Sequence, residues 1–122
     1  MILVVEDEVE VRTMIAEYLR RSGYDVTVAA DPNEAIALSR HGEGCPELIV
    51  TDVKMPHMTG TEMIMQLRHE WPDLRVVFMS GYTEDPLLES EFFTAPILYK
   101  PFDLSELTET LHAIHSVSGH AN

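Results

Sequence analysis

The stretch Leu48-Ile-Val-Thr-Asp-Val-Lys-Met-Pro56 decides the fold. Leu48 to Thr51 are apolar or β-branched at every position and too few for a helix, so they are read as a strand buried on both faces, as in a parallel sheet. Pro56 stops any extension of that run. The strand delivers one carboxylate, Asp52, at its C-terminal end, the rim where open α/β sheets bind ligands. Asp also starts turns, so Asp52 alone leaves a turn residue and a chemical residue as alternatives.

Working outward, Ile2 to Val5 reads as a second buried strand and also ends in acids, Glu6, Asp7 and Glu8. From Val9 to Ser22 the period changes to that of a helix, with Val11, Met14, Ile15, Tyr18 and Leu19 on one face and Gly23 as the stop. Asp25 to Ala29 alternates as a more exposed edge strand. Asp31-Pro-Asn-Glu34 combines an N-cap acid, proline at the first helical position and a glutamate three residues after the cap, predicting a helix to about Arg40. Thr59-Gly-Thr-Glu62 is a second capping box, opening a helix with Met63, Ile64 and Leu67 inward that ends before Pro72. Arg75 to Met79 is the fourth strand. A weaker helix is expected from about Pro86, with Leu87, Leu88, Phe92 and Phe93. Ile97 to Tyr99 is a short fifth strand, and Asp103-Leu-Ser-Glu106 caps a last helix striped by Leu104, Leu107, Leu111 and Ile114.

Five repeats of strand then helix predict an α/β fold, a five-stranded parallel sheet in the flavodoxin-like order 2-1-3-4-5 with helices on both faces. Its 122 residues suit a single domain, 1–122, large enough to bury a core. With 45% apolar residues the chain is globular rather than disordered. Eight basic against 21 acidic residues give a formal charge of −13, a field that repels phosphate backbones and excludes direct nucleic-acid binding as the expected function. The lone Cys45 excludes an internal disulfide. The apolar start, Met1 to Val5, is too short for a signal or membrane span, so a cytoplasmic location without membrane insertion is expected.

Four of the five strands end in a residue able to do chemistry: Glu6 and Asp7, Asp52, Ser80 and Lys100. In the order 2-1-3-4-5 the first and third strands are neighbours, so Asp7 and Asp52 should meet. Two carboxylates about 4 Å apart repel by roughly 4 kcal/mol at an effective dielectric of 20, which calls for a positive partner. An all-oxygen acidic cluster suits a hard cation such as Mg2+. Lys100 adds a point charge and the Ser80 hydroxyl can donate to a bound oxyanion. Together they describe a pocket for a phosphoryl group at a carboxylate. Each residue also has an ordinary structural reading: Ser80-Gly81 as a turn, Lys100 as a surface lysine before proline, Glu6 to Glu8 as a helix cap.

Val4-Val-Glu-Asp-Glu8, Thr51-Asp-Val-Lys-Met-Pro56 followed by Gly60, Met79-Ser-Gly81 and Lys100-Pro-Phe102 together resemble the motif set of response regulator receiver domains of two-component signalling. Ser80-Gly-Tyr-Thr-Glu-Asp85 is most similar to receivers of hybrid sensor histidine kinases. The resemblance implies that Asp52 takes a phosphoryl group from a phosphohistidine on a histidine kinase dimerisation domain or a histidine phosphotransfer protein. It implies that Asp7, Asp52 and the backbone carbonyl of Lys54 ligate Mg2+, with Glu6 acting through metal-bound water. It further implies that Lys100 pairs with the phosphoryl group and that Ser80 moves to hydrogen-bond it, switching the 80–117 face. Catalysis would then be limited to the domain's own phosphorylation and dephosphorylation.

One departure follows from the same comparison. Ile97 stands where receivers commonly carry an aromatic switch residue, with Tyr99 the nearby aromatic, so signalling through residues 84–96 rather than a Tyr swing is expected. Lys54 and Tyr82 are bulky residues two positions after Asp52 and Ser80, where they would shield an acyl phosphate from water. A homodimer through the 84–117 face is one expected assembly, and a start on the first strand favours a piece of a larger protein. His57, His69, His112, His115 and His120 lack a companion ligand set and read as solvated. Competing functions are a magnesium-dependent small-molecule phosphatase or phosphotransferase working through an Asp52 phosphoenzyme, and a docking module that is never phosphorylated.

Overall fold

The computed structural model describes residues 1–42, 44–81 and 95–120, with residues 115–120 by backbone only. Along the chain run β1 (Ile2–Val5), α1 (Val9–Arg21), β2 (Val26–Ala29), α2 (Pro32–His41), β3 (Leu48–Asp52), α3 (Gly60–Arg68), β4 (Arg75–Ser80), β5 (Ile97–Tyr99) and α4 (Leu104–His120). The five strands form one sheet in the order β2-β1-β3-β4-β5, every pairing parallel. The helix expected from Pro86, and with it Tyr82 and most of the 84–96 switch segment, lies outside the described residues.

Side chains alternate across a strand, and here the alternation sorts the core into two layers. Leu3, Val5, Ile49, Val76 and Phe78 meet Ala35, Ile36, Met63, Ile64 and Leu67 of α2 and α3. Ile2, Val4, Leu48, Val50, Val77 and Met79 meet Ile15, Ala16, Leu19, Leu107 and Leu111 of α1 and α4 on the other face. The central strands therefore carry apolar side chains toward both faces, because both faces are covered.

The helix starts follow the sequence. Asp31 Oδ1 accepts from the Glu34 amide at 2.8 Å. Thr59 and Glu62 close a full capping box, with Glu62 N–H to Thr59 Oγ1 at 3.1 Å and Thr59 N–H to Glu62 Oε1 at 3.0 Å. Gly23 ends α1 at φ 98°, a conformation that costs glycine nothing. One expected core residue is displaced: Met14 is 51% exposed and Ala16 is buried instead. The reason is angular: at about 100° per residue Ile15, Leu19 and Ala16 share one arc, and Met14 lies a further step outside it on the Ile15 side.

Gly60 opens α3 hard against the end of β3. Its amide donates to the Val53 carbonyl at 2.7 Å, and a Cβ on it would run into the Asp52 carbonyl oxygen and crowd the Thr51 methyl. Backbone cannot yield as a side-chain tip can, so Gly60→Ala is expected to destabilise by about 1–3 kcal/mol, read as a lower urea midpoint with unchanged slope.

Candidate functional site

The parallel register sets the site. Val5 pairs Thr51, so Glu6 and Asp52, each the next residue, end their strands at one level. Asp52 pairs Met79, Ser80 pairs Tyr99, and the Lys100 amide donates to the Ser80 carbonyl at 2.8 Å. Asp52 shares the parity of Leu48 and Val50. Glu6 and Lys100, one residue past their strands, continue the parity of Val4 and Leu98. All three therefore emerge on the α1/α4 side of the rim.

There the side chains converge. Lys100 Nζ lies 3.3 Å from Asp52 Oδ2 and 3.6 Å from Glu6 Oε2. Glu6, Asp7 and Asp52 each offer a carboxylate oxygen, and these oxygens all lie within 4.8 Å of one another. Asp52 is buried to 8% exposure, whereas Asp7 is exposed. Asp52, Lys54, Ser80, Gly81 and Lys100 line an open cavity of about 310 Å3. Each sequence-predicted site residue thus belongs to one rim: the Glu6, Asp7 and Asp52 carboxylates cluster, Lys100 reaches Glu6 and Asp52, and Ser80 and Lys54 line the adjoining cavity.

Glu6 differs from its sequence reading in degree. It is fully buried, and its Oε2 has no hydrogen-bond partner among the described residues. Burial, then the neighbouring Asp52 charge, push its pKa up to about 7 against the pull of Lys100. Burial works against the Lys100 charge as well, but Asp52 and Glu6 outweigh it and hold the ammonium above the usual lysine value.

A buried carboxylate oxygen with an ion pair but no hydrogen bond, beside two further carboxylates, fits a hard divalent cation, which neutralises charge that one lysine leaves uncompensated. Asp7 and Asp52, with Glu6 beside them, form the acidic group that would hold Mg2+.

Without metal, the crowding has a stability consequence. A carboxylate whose folded value is about 7, above its ordinary 4.5, favours folding when protonated. That contribution is complete below about 4.5 and is lost as pH rises through about 7. In chelator-treated protein, Glu6→Gln is expected to exceed wild type in stability at about pH 8, by up to about 3 kcal/mol. The gap should shrink at about pH 6, as read by urea unfolding at the two pH values.

Two features of the site escaped the sequence reading. The Arg12 guanidinium donates from Nη1 to the Glu6 carbonyl at 2.9 Å, and Gly60 packs on the Asp52 carbonyl. Arginine one turn inside a helix carries no local signal of that role, whereas a glycine at the first turn of a helix, a position of low propensity, was a usable one.

At the place of the usual aromatic switch, Ile97 is half-buried and packs against the α2/α3 layer, while Tyr99 is 55% exposed. His57, His69 and His112 are exposed, and no second group of metal-ligating side chains accompanies them among the described residues.

Comparison with known proteins follows the same outline. The family profile described as response regulator receiver domain matches residues 2–112. The sensor kinase CckA of Brucella abortus is 37% identical over 112 residues, 90% of this chain but 12% of that kinase. The chain likewise spans 48% and 47% of two transcriptional regulators that it matches. Among solved structures, the receiver domain of hybrid histidine kinase CckA superposes with a TM-score of 0.77 at 34% identity, covering 92% of this chain and 95% of that one. The response regulator TrrA of Thermotoga maritima, solved in complex with Mg(2+)-BeF, gives 0.79 at 27% identity over 92% and 96% of the two chains.

Proposed function

This chain belongs to the response regulator receiver domain family of two-component signalling, and from that premise we propose that Asp52 is its phosphoacceptor. The observation that carries the reading is the placement of Lys100 Nζ within 3.6 Å of both Asp52 and Glu6, with Asp7 completing the acidic cluster.

In the proposed reaction an Asp52 carboxylate oxygen attacks phosphorus in line with the phosphohistidine nitrogen; the O–P bond forms as the P–N bond breaks, and the electron pair leaves with the imidazole. Phosphoryl transfer asks little covalent chemistry of a protein, so the work is positioning and charge neutralisation. Lys100 supplies a point charge opposite the incoming phosphoryl oxygens. The Ser80 hydroxyl, on the neighbouring strand end, donates to one of them. Bound Mg2+, held by Asp7, Asp52 and the Lys54 carbonyl with Glu6 behind it through water, would supply the remaining neutralisation of carboxylates and phosphoryl oxygens. Lys54 on the cavity wall would hinder water from reaching the acyl phosphate.

Receivers work with histidine kinases or phosphotransfer proteins. The phosphodonor proposed here is a kinase dimerisation domain or a phosphotransfer protein, met in the cytoplasm. No helix among the described residues is long and apolar enough to cross a membrane. A charge-assisted bond from Ser80 to the phosphoryl group, worth about 1.5–3 kcal/mol, would shift a two-state loop equilibrium roughly ten- to a hundredfold. That is the proposed origin of switching along the 80–117 face.

Intact mass after incubation with acetyl phosphate tests the reading. One added phosphate that requires magnesium supports it. No adduct in a protein shown to bind magnesium would overturn it in favour of a docking module, and turnover of a chromogenic phosphate ester would favour a small-molecule phosphatase.

A further inference from the structure

We propose that Arg12 is a positioning residue for the metal site, fixing the peptide plane between Glu6 and Asp7 and so the relative direction of their two carboxylates. The inference rests on the reading above that these acids hold magnesium.

Beyond Val5 the chain leaves the sheet ladder. The Glu6 amide still reaches the Ala29 carbonyl on β2, at 3.2 Å. The carbonyl of Glu6 accepts from Arg12 Nη1 at 2.9 Å, a partner delivered from α1. Glu6 Oε1 accepts from the Glu8 amide at 3.4 Å, a longer contact within the loop itself. Arg12 is in turn seated by its own amide, which donates to the Glu8 carbonyl at 2.9 Å in the first turn of α1.

The Glu6 carbonyl oxygen belongs to the same rigid plane as the Asp7 nitrogen. Holding that oxygen fixes the rotation on either side of the plane, and these are the rotations that aim the Glu6 and Asp7 side chains. Without the guanidinium the nearest backbone anchor is the Glu6 amide on Ala29, which belongs to the preceding peptide plane. The Asp7 side chain is exposed, so packing does not aim it. The guanidinium contact is with the Glu6 carbonyl and not with a carboxylate of the cluster. Arg12 therefore acts through backbone orientation.

Groups that orient metal ligands typically change affinity about 10–100-fold when removed. The test compares wild type, Arg12→Met, which keeps the stem without the donors, and Arg12→Lys, which keeps a charged donor. Magnesium affinity is read by titration calorimetry and by the 15N amide shifts of Glu6, Asp7 and Glu8. Acetyl phosphate uptake is followed against magnesium concentration. Arg12→Met is expected to bind magnesium about 10–100-fold more weakly, with the uptake rate at saturating magnesium within about threefold of wild type. Arg12→Lys is expected to recover most of the affinity.

Wild-type affinity in folded Arg12→Met would overturn the inference. So would a saturating rate that falls while affinity holds. If Arg12→Met does not fold, Arg12→Lys decides: loose magnesium binding and unchanged amide shifts in that variant overturn the inference, and near-wild-type values support it. Failure of wild type to bind magnesium would instead remove the underlying functional reading.

Discussion

Asp52→Asn is expected to abolish magnesium-dependent phosphoryl uptake, leaving no phosphate adduct by intact mass under conditions that fully modify wild type. The substitution is nearly isosteric, and the amide oxygen can still accept from Lys100, whose Nζ stands 3.3 Å from Asp52 Oδ2. The strand end and cavity should therefore persist while the anionic nucleophile is lost. Neither other carboxylate of the cluster is placed to replace it: Glu6 is fully buried, and Asp7 follows β1, which β3 separates from β4 and Ser80. Removing the Asp52 charge also relieves the crowding that helps raise Glu6. The chelator-treated variant should thus be more stable than wild type near neutral pH while binding magnesium more weakly, two opposite shifts that a simple folding defect does not produce. An adduct that persists in Asp52→Asn would assign the acceptor to another side chain.

Lys100→Met is the second large effect. Methionine keeps much of the apolar stem and removes the ammonium. Phosphoryl uptake is expected to fall by about 10²–10³, the usual loss on deleting one preorganised charge-stabilising donor. Stability without metal should fall by about 1–3 kcal/mol, because the buried Glu6 Oε2 loses the cation 3.6 Å away. The pH dependence has a definite sign. Without Lys100 the Glu6 carboxyl is held still higher than about 7, so protonation rescues the fold at low pH and the deficit grows as pH rises. Saturating magnesium should restore much of the stability by binding the native state alone, but not the uptake rate. Thermal unfolding with and without magnesium, beside the mass assay, separates the two roles. Equal stability of Lys100→Met and wild type above neutral pH would show that the ion pair has no part in holding Glu6.

The rim chemistry was legible because its residues sit at strand ends, and strand ends are marked by abrupt changes in the sequence. Apolar runs stop at Glu6, Asp52, Ser80 and Lys100, and a parallel sheet has to bring those stops to one edge. The helices were legible from their caps, as at Asp31 and Thr59, where one side chain meets a nearby amide and no distant contact is needed. Met14 was misread because periodicity gives the direction of a stripe but not its width, which depends on how closely α1 lies on the sheet.

By itself the sequence determined the strand count and order, the two-sided burial of the central strands and the set of acids, serine and lysine at the rim. Those features follow from local hydrophobic pattern and from the few ways alternating strands and helices can pack. Only the tertiary structure decided that Glu6 is sealed from water with one oxygen lacking a hydrogen bond, that Lys100 reaches both Glu6 and Asp52, and that Arg12 holds the Glu6 carbonyl. Those are contacts between segments far apart in sequence or turned toward each other by a loop. Their distances depend on register, strand twist and the seating of α1, which no local pattern encodes.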